Sequence, residues 1–132
     1  MGCLIDSDTC IYYINKRSIS LIERVHRHMH KGIYVSSIVL AELEFGVAKS
    51  AYPDRNLESL QKFLVAFEIL DFDSKAAACY GKIRTDLQRE GKLIGPLDML
   101  IAAHAQSAGL TLVTNNTREF SRIPELSMEN WI

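Results

Sequence analysis

Four stretches of this chain set carboxylates against apolar neighbours. Asp6 closes the run Gly2-Cys3-Leu4-Ile5, and Glu42 lies inside a largely apolar run that starts at Ile38. Asp98 heads Met99-Leu100-Ile101-Ala102-Ala103, and Asn116 and Glu119 follow the run Leu110-Thr111-Leu112-Val113-Thr114. An ionised aspartate at the head of a buried helix is a cap, a paired charge or a metal ligand, because an isolated buried charge is too costly. For Asp98 the plain structural reading is a helix-start acid. Pro96 suits the first helical position, and an acid two residues later favours the positive end of the macrodipole. The other acids argue for more. Several carboxylates gathered at one place raise one another's pKa unless a cation is bound. All are hard oxygen donors with no cysteine or histidine among them, which favours Mg²⁺ or Mn²⁺ over zinc. A carboxylate-bound Mg²⁺ that keeps its waters suits phosphodiester hydrolysis.

The elements that must position these acids can be read from the same pattern. Strands are expected near Leu4-Ile5, Ile33 to Val35, Glu68 to Leu70 and Leu110 to Thr114, with a weaker edge strand near Ser127 to Trp131. Helices fall between them: one after Asp6-Ser7 that packs through Cys10, Ile11, Tyr13 and Ile14, then about 19–29, one capped by Ser36-Ser37, about 57–67, about 75–89, and the Asp98 helix ended by Gly109. Short apolar strands separated by helices predict an α/β fold, a three-layer α/β/α sandwich with a short, mainly parallel sheet. Ligands bind such sheets outside the carboxyl ends of the strands. Asp6 directly follows the first strand, Glu42 lies in the helix after the second, and Asn116 and Glu119 follow the strand at 111–113. Asp98 begins the helix leading into that strand, so chain order alone does not put it at the edge. Gly46, one turn beyond Glu42, costs about 1 kcal/mol relative to alanine in a helix, which suggests close backbone approach there.

Length and composition bound the rest. A chain of 132 residues, 48% apolar and 23% charged, is expected to form one domain over residues 1–132. Cys3, Cys10 and Cys79 have no CxxC spacing and fit free thiols in a reducing cytosol. No apolar run reaches membrane-span length and no signal-peptide pattern opens the chain, so a cytoplasmic location is expected. The net charge of −1 argues only weakly against nucleic acid, since a metal among the acids reverses the local sign.

Four motifs together, Leu4 to Thr9, Val35 to Gly46, Gly95 to Ala105 and Leu112 to Phe120, resemble the PIN-domain ribonucleases, and within them the VapC toxins of bacterial toxin–antitoxin pairs. The resemblance spans nearly the whole chain in order and spacing. It implies that Asp6, Glu42 and Asp98 are catalytic acids binding Mg²⁺, with Glu119 first and Asn116 second completing the site by metal binding or water positioning. Many PIN domains have aspartate where Asn116 stands. Thr114 resembles a supporting hydroxyl. Asp8 stands where the family commonly has asparagine, and either caps the first helix or adds charge to the pocket. The family further implies endonucleolytic cleavage of RNA, such as the anticodon stem-loop of initiator tRNA, inhibition of translation, a homodimer, and a cognate VapB-type antitoxin whose C-terminal segment covers the acidic pocket. Two other readings stay open: a PIN nuclease of RNA maturation that is no toxin, and a nucleic-acid-binding module that no longer cuts.

Other residues have plainer explanations. His26, His28 and His30 are expected on a solvated basic helix face, since no acid or cysteine completes a ligand set. His104 reads as a hydrogen-bonded interior histidine. Lys49, Arg84, Arg89, Lys92 and Arg118 either line an RNA path or are ordinary solvated surface. Tyr12, Tyr13 and Trp131 are expected in core or dimer contacts.

Overall fold

A computed structural model describes residues 2–132. Its five strands, β1 (Cys3–Ile5), β2 (Ile33–Ser36), β3 (Glu68–Leu70), β4 (Thr111–Val113) and β5 (Met128–Glu129), form one parallel sheet in the order β3-β2-β1-β4-β5. The helices are α1 (Ser7–Ile14), α2 (Ile19–His28), α3 (Ser37–Ala48), α4 (Pro53–Ala66), α5 (Ser74–Arg89), α6 (Pro96–Ser107) and α7 (Thr117–Phe120). The strands run outward from β1 through β2 to β3. The chain then returns across the sheet to β4, and right-handed crossovers place the two sets of helices on opposite faces. Order therefore reverses between β1 and β4, where Ile5 pairs with Val113. That is the crevice in which open α/β sheets bind ligands.

Local chemistry sets the helix starts. Ser18 accepts from the Leu21 N–H, Ser36 from Ile38 and Asp73 from Ala76, and Pro opens α4 and α6 at their first positions. Gly32, Gly91 and Gly109 take positive φ where the chain leaves a helix. The core is one cluster built on Leu4, Ile5, Val35, Leu112 and Val113 of the sheet, with Leu21, Val39, Leu60, Ile101, Phe120 and Trp131 packed around it. Cys3 and Cys10 are buried, and all three thiols are free. Among the described residues no helix is long and apolar enough to cross a membrane.

Several sequence expectations change. Ile11, assigned to the packing side of α1, is 45% exposed. Gly46 has no close neighbour: a Cβ placed there meets nothing within 4 Å. His28 is not simply solvated, because its ring lies 4.6 Å from that of Trp131 and its Nδ1 is 2.7 Å from the Arg24 carbonyl oxygen. Trp131 is buried as expected, and Tyr13 meets Phe63 and Phe67 edge-on.

Candidate active site

Asp6 is the buried anchor of the site. It leaves β1 in extended conformation, its N–H bonding the Val113 carbonyl at 2.9 Å across the β1–β4 crevice. The Thr114 hydroxyl donates to Asp6 Oδ2 at 2.7 Å, and the Ser7 N–H donates to Oδ1 at 2.8 Å. Thr114 Oγ1 in turn accepts the Asn116 N–H at 3.0 Å, so the end of β4 holds the acid at the end of β1. Burial raises the Asp6 pKa, against the lowering effect of the Thr114 and Ser7 hydrogen bonds.

Glu42 comes to the same crevice on α3. The Ser7 hydroxyl donates to its Oε1 at 3.2 Å, so one serine joins Asp6 to an acid that lies 35 positions beyond the serine in the chain. Its pKa is also raised, first by burial and then by the charges of Asp6 and Asp8. Ser7 was visible in the sequence only as a possible cap. Its bridging role depends on where α3 packs, which no local pattern discloses.

Asp98 occupies the first turn of α6, yet it does not cap it. Gly95 is the N-cap and no side chain bonds there. Burial raises the Asp98 pKa to about 6, with Asp6, Glu119, Glu42 and Asp8 adding to the rise. The packing that chain order left open thus does bring Asp98 to the carboxyl edge, within the field of all the other acids. On the far side, Asn116 Nδ2 donates to Glu119 Oε2 at 3.3 Å, tying the two candidates for the last position to each other. Asp8 is exposed and makes no cap; it borders the cleft beside Glu42.

Four acids from four chain segments thus share one edge without a counter-charge. Among the described residues no Lys, Arg or His is ion-paired to Asp6, Glu42, Asp98 or Glu119. Nor do three of these side chains close on a single point tightly enough to grip an ion as they stand. A divalent cation is the counter-charge that a set of oxygen-only donors would suit.

His104 is interior, as expected. Its Nδ1 lies 2.7 Å from the Ser36 hydroxyl, and Phe72 packs edge-on against its ring. Burial lowers its pKa.

The PIN domain family profile matches residues 3–126. The chain is 45% identical to Ribonuclease VapC2 of Haemophilus influenzae over 129 residues, covering 98% of this chain and 97% of that protein. It is 42% identical to the tRNA(fMet)-specific endonuclease VapC of Shigella flexneri, covering 97% and 96%. Among solved structures it resembles a chain of VapBC2 from Rickettsia felis bound to a promoter DNA fragment. The TM-score is 0.96 at 44% identity, with all of both chains covered.

Proposed function

The chain belongs to the VapC group of the PIN-domain family, and from that premise we propose that it is a divalent-metal-dependent endoribonuclease, the toxin of a toxin–antitoxin pair. The observation that carries the reading is the gathering of Asp6, Glu42, Asp98 and Glu119 at the β1–β4 crevice with no basic partner among the described residues. Asp6, Glu42 and Asp98 would hold Mg²⁺ or Mn²⁺, with Glu119, and Asn116 beside it, completing the set. Such an ion supplies polarisation of a phosphate and a more acidic bound water. The chain's own contribution is orientation: Thr114 and the Ser7 N–H fix both oxygens of Asp6, the Ser7 hydroxyl aims Glu42, and α6 provides a rigid base for Asp98.

The substrate we assign is tRNA, with initiator tRNA first, on the strength of relatives such as the Shigella enzyme. The whole chain works as one nuclease domain, as a homodimer, and its cleavage stops translation. Relatives crystallised as VapBC complexes support an antitoxin of the VapB type as partner.

The test is cleavage of purified tRNA by the wild-type chain with Mg²⁺ or Mn²⁺. Loss of cleavage in EDTA and in Asp98→Asn is expected, and cleavage that persists in EDTA overturns the metal requirement. Expression without antitoxin should arrest growth. Arrest that survives Asp6→Ala would remove that residue from the site, and absence of arrest with intact cleavage would favour a nuclease of RNA maturation.

A further inference from the structure

Nothing inside the chain explains glycine at position 46. It lies within α3, where glycine costs about 1 kcal/mol against alanine, and a Cβ there would meet nothing within 4 Å. The space above it is a cleft of about 580 Å³, bordered by Ser7, Asp8, Glu42, Phe45, Lys49 and Leu97. A second cleft, of about 260 Å³ between α1, α3 and α4, shares Glu42 and Gly46 with the first. The cleft therefore borders Asp8 and Glu42 and runs along α3 past Gly46, which contributes no side chain to it.

Phe45 stands beside that opening. It follows Glu42 by three positions, which places both on one flank of α3, and it is 64% exposed. Lys49 Nζ lies 4.9 Å from the centre of its ring. The same pairing recurs in the next segment, where Tyr52 is 62% exposed and the Arg55 guanidinium lies 4.5 Å from its ring. An exposed ring with a cation against it is what surfaces for single-stranded nucleic acid use: the ring takes a base, and the cation takes a phosphate. Positive charge next to an open aromatic, continuous with a site for phosphodiester hydrolysis, favours a nucleotide over an apolar peptide as occupant.

The geometry points to Phe45, Gly46 and Lys49 as the platform for an unpaired RNA base next to the phosphate that is cut. The base stacks on Phe45, Gly46 leaves room for the nucleotide to lie against the helix, and Lys49 meets the neighbouring phosphate. The inference rests on the ribonuclease reading and narrows it: the nucleotide at this position is in a loop or single strand, not in a base-paired stem.

Steady-state cleavage of a synthetic RNA hairpin containing a tRNA anticodon loop, with Mg²⁺, tests it. Phe45→Ala should raise KM by between about fivefold and a hundredfold, the range covered by stacking one base on an aromatic side chain, with kcat changed far less. Phe45→Trp should restore KM. Gly46→Val should raise KM while thermal unfolding shows the chain still folded, which separates a blocked cleft from a damaged protein. A hairpin made abasic at the loop positions in turn should, at one position, abolish the difference between wild type and Phe45→Ala. If wild type cuts no RNA, the ribonuclease reading falls and the platform with it. If wild type cuts and Asp98→Asn does not, but Phe45→Ala and Gly46→Val keep the wild-type KM, the platform alone is overturned. Unchanged RNA kinetics together with weakened antitoxin binding would make the cleft a protein-docking surface instead.

Discussion

Asp98 was ambiguous in the sequence because a helix-start acid and a metal ligand look alike from composition. In the structure Asp98 stands in the first turn of α6 as expected, while Gly95 is the N-cap and no side chain bonds there, so the carboxylate is not used as a cap. Its pKa of about 6 then has a thermodynamic consequence. The folded value lies above the unfolded 3.8, so between the two the folded chain holds more protons. Metal-free stability should therefore rise as pH falls from 7.5 through 6 towards 4, and be lost as pH rises through 6. Asp6 and Glu42 are shifted the same way by their burial. Discounted for the solvent that reaches a half-buried carboxyl, the Asp98 effect is on the order of 1 kcal/mol. Urea unfolding in EDTA at pH 5 and pH 7.5 measures it, and Asp98→Asn at pH 7.5 should be more stable than wild type by a similar amount. A destabilised Asp98→Asn would mean that the charge has a favourable partner and is no vacant ligand.

At the scale of elements, the start of a helix was more legible than the face it turns outward. Ser36 was legible as a cap because capping is a contact between near neighbours. Ile11 was misplaced into a packing face because α1 is apolar on more sides than its neighbours cover. The contact that locks α6 to α3 was also hidden, since His104 and Ser36 are 68 positions apart. The Ser36 hydroxyl also accepts the Ile38 N–H, so it holds the start of α3 and His104 Nδ1 of α6 at once, as donor or acceptor to the ring according to the tautomer. Replacing His104 by leucine keeps much of the volume but strands that buried hydroxyl, at a cost of about 1–3 kcal/mol. His104→Asn, which can still accept from Ser36, should recover part of the loss. Equal denaturation midpoints for His104→Leu and wild type would remove the link between the two acid-bearing helices. Gly46→Ala is the opposite case, because with no neighbour to strike, its Cβ should stabilise α3 by about 0.5–1 kcal/mol in the same assay.

For the molecule as a whole, the strand order β3-β2-β1-β4-β5 explains why acids scattered from position 6 to position 119 meet. A parallel sheet sends every strand's carboxyl end to one edge, and the reversal between β1 and β4 opens a crevice there. The strand order and the place of Asp98 needed the structure, but the shared carboxyl edge was legible from short apolar strands alternating with helices. The charge balance was not. Taking the four negative charges of the site away from a net of −1 leaves +3 on the rest of the chain, a sign suited to RNA that the total conceals. The same four acids make the fold sensitive to its ion. A cation held by Asp6, Glu42, Asp98 and Glu119 would bridge the ends of β1 and β4 to α3 and α6, segments that the unfolded chain does not hold together. Binding to the folded state alone, at a hundredfold excess over Kd, stabilises by about 2.7 kcal/mol. For a chain of this length that is a rise in Tm on the order of 10 °C. Thermal unfolding with Mn²⁺ titrated into EDTA-stripped protein should show the rise saturate in wild type and vanish in Asp6→Asn and Asp98→Asn. A Tm that stays flat with both Mn²⁺ and Mg²⁺ would show that the four acids do not bind a divalent ion in the absence of RNA, and would move ion binding to the substrate complex.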